Sequence, residues 1–91
     1  MPKFILKDNQ LSEYALSCGY LQQATDSGDK FDYTKKLELS KRFGIYEVFY
    51  MNYKEFTSHR LHFKKLTEAR NAYKSLLKSH KLKSVKNIVD I

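Results

Sequence analysis

Ninety-one residues with a net charge of +7 are enough for one domain around one core and exclude a second, separate catalytic domain. At 42% hydrophobic and 14% aromatic, with one proline and three glycines, the chain is too apolar for general disorder. The charge is lopsided: residues 1–53 carry seven Lys/Arg against seven acids, whereas residues 54–91 carry ten against three. Such a field attracts polyanions, and nucleic acid is the first partner it points to.

The apolar run Phe4, Ile5, Leu6 is followed at once by Lys7, which is too short for a signal peptide, and no stretch approaches the roughly 18 apolar residues of a membrane span. The lone Cys18 has no internal partner for a disulfide, which fits a reducing compartment. The expectation is a soluble cytoplasmic protein of one domain over residues 1–91.

In chain order, residues 4–6 read as a short edge strand. Residues 8–24 read as an amphipathic helix, with Leu11, Ala15, Cys18 and Leu21 on one stripe, Tyr14 beside it and Asp8 or Asn9 as N-cap. Gly19 interrupts the pattern, costs about 1 kcal/mol relative to alanine in a helix, and marks a place where the helix can stop. Residues 25–29 are a loop. Residues 30–41 alternate as a strand, with Phe31, Tyr33, Leu37 and Leu39 on one side and Asp32, Thr34, Lys36 and Glu38 on the other, broken only at Lys35. Residues 46–53 form a second strand, on which either Tyr46, Val48 and Tyr50 or Glu47, Phe49 and Met51 face away from the helices. Residues 59–63 form a third, joined to the second around residues 54–58, with Leu61 and Phe63 inward. Residues 66–79 give the strongest helical signal, with Leu66, Ala69, Tyr73, Leu76 and Leu77 on one face. The phase then breaks near His80, and residues 82–91 read as an appended tail, either a short second helix or an added edge strand. Its Val85, Ile88 and Val89 are candidate dimer contacts, so monomer and homodimer both stay open.

The fold expected is α+β, with two helices packed on one face of a three-stranded antiparallel sheet in the order α-β-β-β-α. No metal or cofactor is expected, because Cys18 and His59, His62 and His80 fit no zinc spacing, and no phosphate-cradling glycine loop is present. His59, Arg60 and His62 are a candidate acid-base set of the kind small ribonucleases use, but ordinary surface residues on a hairpin are the simpler account, and no enzyme is expected.

The basic residues say more. Arg70, Lys74, Lys78 and Lys81 recur at helical spacing as one cationic stripe, whose like charges repel by a few tenths of a kcal/mol per pair (about 0.2–0.5) and so do not stabilise the helix. With Leu61 and Phe63 inward, Arg60, His62 and Lys64 point outward and join Lys65 in a second basic patch. Both patches suit phosphate contacts, and Tyr50, Tyr53 and Phe56 are candidates for stacking on bases. Lys, Tyr, Phe, Ile and Asn are plentiful and Trp is absent, as in many AT-rich phage genomes.

The order helix, three strands, helix resembles the double-stranded-RNA-binding domain, with Lys64-Lys65 before Ala69-Arg70 at the entry to the last helix. Its tight Lys-Lys-x-Ala-Lys run is absent here, so only topology is implied. Residues 44–77, with Phe63-Lys64-Lys65-Leu66-Thr67-Glu68-Ala69-Arg70 leading to Tyr73 and Leu76, are similar to the strand, strand, helix modules of phage integrases, which read DNA with a sheet. Residues 39–45 resemble the first helix and turn of a helix-turn-helix, with Ser40 and Gly44 at the small-residue and turn positions. In size and composition the chain resembles phage accessory proteins against host defence, including anti-CRISPR proteins and inhibitors of toxin ribonucleases. That resemblance implies a counter-defence role. The expected function is non-enzymatic nucleic-acid binding, RNA favoured because an aromatic-bearing sheet suits splayed bases. Its alternative is a protein-protein inhibitor of a CRISPR effector or toxin.

Overall fold

Alternation of apolar and polar residues along two adjacent strands sets the architecture of the computed structural model, which describes the backbone of residues 3–6 and 11–90 and the side chains of residues 11–86. Strands β1 (Lys3–Leu6), β2 (Gln22–Thr25), β3 (Lys35–Arg42), β4 (Ile45–Asn52), β5 (Thr57–Phe63), β6 (Lys83–Ser84) and β7 (Asn87–Asp90) accompany helices α1 (Glu13–Ser17) and α2 (Leu66–Ser79). Five strands form one antiparallel sheet in the order β5-β4-β3-β2-β6, and β1 pairs with β7 in a separate two-stranded sheet.

The β3–β4 hairpin turns through Phe43 and Gly44, and its register sets Leu39 opposite Val48 and Leu37 opposite Tyr50. Leu37, Leu39, Tyr46, Val48 and Tyr50 thereby share one face and are buried together with Ala24 of β2. Helix α2 covers this row. Ala69 and Tyr73 are buried in the same cluster, with Leu66, Ala72, Leu76 and Leu77 packed around them. Ala69 has no side chain beyond Cβ to hold the helix away from the sheet. Leu11 and Leu16 complete the core from the side of α1. Among the described residues no helix is long and apolar enough to cross a membrane.

The expected three-stranded sheet with two helices on one face is not what forms: the sheet has five strands. The helix expected over residues 8–24 is only Glu13–Ser17. The Ser12 hydroxyl caps it by accepting from the Ala15 amide at 3.1 Å, and the proposed caps Asp8 and Asn9 lie outside the described residues. Gly19 follows at φ +92°, a conformation glycine adopts without the Cβ clash that ends a helix for other residues. Beyond it the chain extends, and Gln22 and Ala24 alternate inward as β2. Cys18 is accordingly an exposed cap residue rather than part of a buried stripe.

Strand β3 starts five residues later than the alternation suggests. Residues 30–34 are drawn into a loop by two aspartates: the Asp26 carboxylate accepts from the Thr34 amide at 3.0 Å and the Lys35 amide at 3.2 Å, and Asp29 accepts from the Phe31 amide at 2.7 Å. Burial pushes the Asp26 carboxyl up, but the hydrogen bonds from Thr34 and Lys35 outweigh it and hold it below the ordinary carboxylate range. Residues 39–45, read as resembling a helix-turn-helix, are the end of β3, its turn and the start of β4. Helix α2 ends at Ser79 with His80 as its cap, and Lys81 at φ +53° redirects the chain. Of the two forms read for the tail, the strand occurs: Lys83 and Ser84 add to β2, and Val85 is buried, its amide donating to the Gln23 carbonyl at 2.9 Å. Val85 is therefore used within the fold, while the side chains of Ile88 and Val89 lie outside the described residues.

Two strained features generate expectations. Neither Nε2 nor Oε1 of fully buried Gln22 has a hydrogen-bond partner, and an unsatisfied buried amide costs about 1–3 kcal/mol. Gln22→Met, of similar volume, is expected to raise unfolding stability by about 1 kcal/mol in urea titration. Phe43 sits at φ +50° and is fully exposed, with neither burial nor glycine's freedom to offset a left-handed backbone. Phe43→Asn, the residue this primed turn favours, is expected to stabilise the fold by roughly 0.5–1 kcal/mol, read as a higher urea midpoint.

Candidate nucleic-acid interface

Because the helix-side row of β3 and β4 is spent on the core, the intervening residues face the other way. Gln23 of β2, Lys36, Glu38, Ser40 and Arg42 of β3, Glu47, Phe49 and Met51 of β4, and Arg60 and His62 of β5 share this second face through the ladder registers. Of the two phases open for β4, Tyr46, Val48 and Tyr50 point to the helix and Glu47, Phe49 and Met51 away from it.

Phe49 occupies the middle of that face. The Arg60 guanidinium lies 4.4 Å from its ring centroid and the Lys36 Nζ 5.5 Å, contacts worth about 0.5–1 kcal/mol each where exposed. Glu47 holds the second row in place: its Oε1 accepts from Arg60 at 2.7 Å and its Oε2 lies 3.1 Å from His62 Nε2. Gln23 Nε2 donates to Glu38 Oε2 at 2.8 Å, and Lys36 lies 3.5 Å from the same carboxylate. Burial alone would lower the Lys36 pKa, but the Tyr53 hydroxyl and the Glu38 carboxylate hold the ammonium above the ordinary lysine value. Three permanent cations, Lys36, Arg42 and Arg60, thus stand among two carboxylates whose oxygens are already engaged. Between Phe49 and Arg60 on one side and Leu16, Gly19 and Leu21 on the other, the face sinks into a hollow of about 470 Å³, within the size range of small-ligand sites.

The residues expected from sequence to bind nucleic acid do not form one surface. Arg60 belongs to the face just described. Tyr53 stands at its edge, half-exposed, with its ring 5.8 Å from Tyr33 and 5.7 Å from Lys36 Nζ. Phe56, 83% exposed, projects from the β4–β5 turn at φ +55°. Lys64 and Lys65 are exposed where β5 passes into α2. Lys74 and Lys78 are exposed on α2, which packs against the opposite side of the sheet, and Lys81 follows its end. Two expected residues have structural positions instead. Tyr50 is 3% exposed, stacked on His80 at 4.2 Å, so its ring is not presented to a base. Arg70 is half-buried and donates to the Leu11 carbonyl, fastening α2 to the segment before α1. The candidate set His59, Arg60 and His62 divides between faces, His59 beside Tyr50 and the other two around Glu47.

The sequence reading names neither Lys36 nor Phe49 among its candidate residues. The alternation sets Lys36 on the side of its strand opposite Leu37 and Leu39 but leaves the phase of β4 open, and without that phase Phe49 has no neighbours. Comparison with known proteins returns no matching family model, curated protein or solved structure.

Arg70→Ala tests the division of roles. Loss of the guanidinium leaves the Leu11 carbonyl without its donor, and the expected cost is about 1–3 kcal/mol by urea unfolding.

Proposed function

We propose that this protein is a non-enzymatic nucleic-acid-binding module that takes single-stranded RNA on the uncovered face of its five-stranded sheet. The observation that carries the reading is Phe49, held on β4 with the Arg60 guanidinium 4.4 Å and the Lys36 ammonium 5.5 Å from its ring. An aromatic ring on a solvent-facing sheet, flanked by cations, offers a base a π-surface and its phosphates a counter-charge, and this is how sheet-bearing RNA modules hold unstacked bases. One base stacks above the hollow against the Arg60 guanidinium that lies over the Phe49 ring, Tyr53 takes a neighbour, and Lys36 and Arg42 meet the backbone. Phe56, Lys64 and Lys65 border the path, while Lys74, Lys78 and Lys81 contribute only their long-range field. RNA is favoured over duplex DNA because the face offers no helix or ribbon to enter a major groove.

In the cell this chemistry suits an accessory factor that interferes with RNA-dependent host defence, of the kind phages encode. A second reading, a protein inhibitor that docks on a defence enzyme without touching nucleic acid, is favoured by one observation: fully exposed Phe43 beside half-exposed Ile45 at the tip of the β3–β4 hairpin, an apolar anchor of the kind interfaces bury.

Fluorescence anisotropy with a ten-nucleotide oligouridine separates the two. Phe49→Ala is expected to weaken binding at least about fivefold, since base stacking is worth about 1–3 kcal/mol, and Lys36→Glu by a similar factor. Glu47→Gln, which removes a carboxylate from the face, is expected to tighten it a few-fold. The double change Lys74→Glu, Lys78→Glu is expected to cost less than about threefold at 150 mM salt, where charges across the molecule are screened. Binding that ignores Phe49 but is lost with Lys74 and Lys78 would move the site to α2, and absence of any RNA affinity would leave the inhibitor reading.

A further inference from the structure

Strand β5 forms one edge of the five-stranded sheet. It pairs with β4 without interruption from Thr57 to Phe63, and among the described residues no other strand and no loop backbone bonds to its outer side. Seven residues of strand, roughly 23 Å at about 3.3 Å per residue, thus present a row of ladder donors and acceptors ready for another extended chain. The opposite edge is different, since β6 is only two residues long. Edge strands are commonly blunted by a bulge, a proline or an inward charge. β5 has a continuous register and no proline.

Its two side-chain rows specify what fits. On the core side, Leu61 lies opposite Val48 yet is 40% exposed, because nothing covers it from beyond the edge. An added strand with an apolar residue there would extend the core by one position. On the other side, Arg60 and His62 point outward, and Lys64 follows them. Arg60 spends one guanidinium nitrogen on Glu47, and a guanidinium carries five N–H donors, so it can bind a second carboxylate. Self-pairing does not meet these terms. A second copy of β5 carries no carboxylate to meet Arg60, and a two-fold antiparallel pair centred on Arg60 sets its guanidinium against its own copy, where like charges directly opposite are destabilising.

We propose that β5 is a docking edge for an extended acidic segment of a partner protein, one in which acidic and apolar residues alternate so that carboxylates meet Arg60 and His62 while apolar side chains cover Leu61. This surface is the edge of the sheet; it shares Arg60 and His62 with the Phe49 face, but its ladder groups are its own, and it does not depend on the RNA reading.

The test uses the intact protein with two eight-residue peptides, one alternating glutamate and valine, the other lysine and valine, followed by anisotropy and by amide hydrogen exchange. The glutamate peptide is expected to bind and to slow exchange of the outward amides of β5 at least tenfold, and the lysine peptide to do neither. Arg60→Glu is expected to weaken the glutamate peptide at least tenfold and to confer binding of the lysine peptide, an exchange of preference that a merely unfolded variant would not show. Equal binding of both peptides, protection outside β5, no binding of the glutamate peptide at millimolar concentration, or protection of β5 by self-association or by RNA instead of peptide would each overturn the proposal.

Discussion

The packing of Ala69 and Tyr73 of α2 against the row formed by Leu37, Leu39, Tyr46, Val48 and Tyr50 is the constraint from which the rest of the molecule follows. Side chains on a strand alternate without exception in register. Once this row is committed to the helix, Lys36, Glu38, Glu47, Phe49, Arg60 and His62 have no choice but to gather on the other side. The chemistry of the open face is therefore a by-product of the core's phase, and a one-residue slip of either strand would exchange the two.

Much of this was legible in the sequence, and unevenly so. Helix α2 is bounded at Leu66 and Ser79, as its apolar periodicity indicates, because five apolar residues repeat at helical spacing over a stretch with no glycine or proline. The β4 and β5 strands were legible within a few residues from their β-branched and aromatic content. β2 was not, since its inward residues are Gln22 and Ala24, neither of which looks like a strand core, and because Leu11, Ala15 and Cys18 imitate a helical stripe that continues to Leu21. The short β3 reflects a competition that composition hides: Asp26 and Asp29 bond backbone amides between Phe31 and Thr34 and withdraw that stretch from the ladder.

Among the candidate residues, the face that Arg60 takes was legible because Leu61 and Phe63 fix the phase of β5. Arg70 and Tyr50 were misplaced for a shared reason. Both carry a polar head on a long or bulky side chain, and such residues are found equally at interfaces and in partly buried structural bonds. The signal that would have found Phe49 lay in the turn. A two-residue connection at Phe43-Gly44 ties Arg42 to Ile45, and counting outward from it places Val48 beside Leu39. The phase of β3, plain from Leu37 and Leu39, then decides the phase of β4.

The topology separates the molecule into parts with different entropic histories. β3, β4, β5 and α2 follow one another along the chain and contact their sequence neighbours, so little loop entropy is lost in assembling them. The remaining pairings are of another kind: Ala24 meets Ser84, and Lys3 meets Asp90, each closing a loop that encloses the whole meander. Pairings that close long loops with few bonds are the first to open in native-state fluctuations. Opening is therefore expected to begin at these closing pairs, and since Lys36, Phe49 and Arg60 stand on β3, β4 and β5, whose mutual pairing does not run through them, the open face is expected to outlast it.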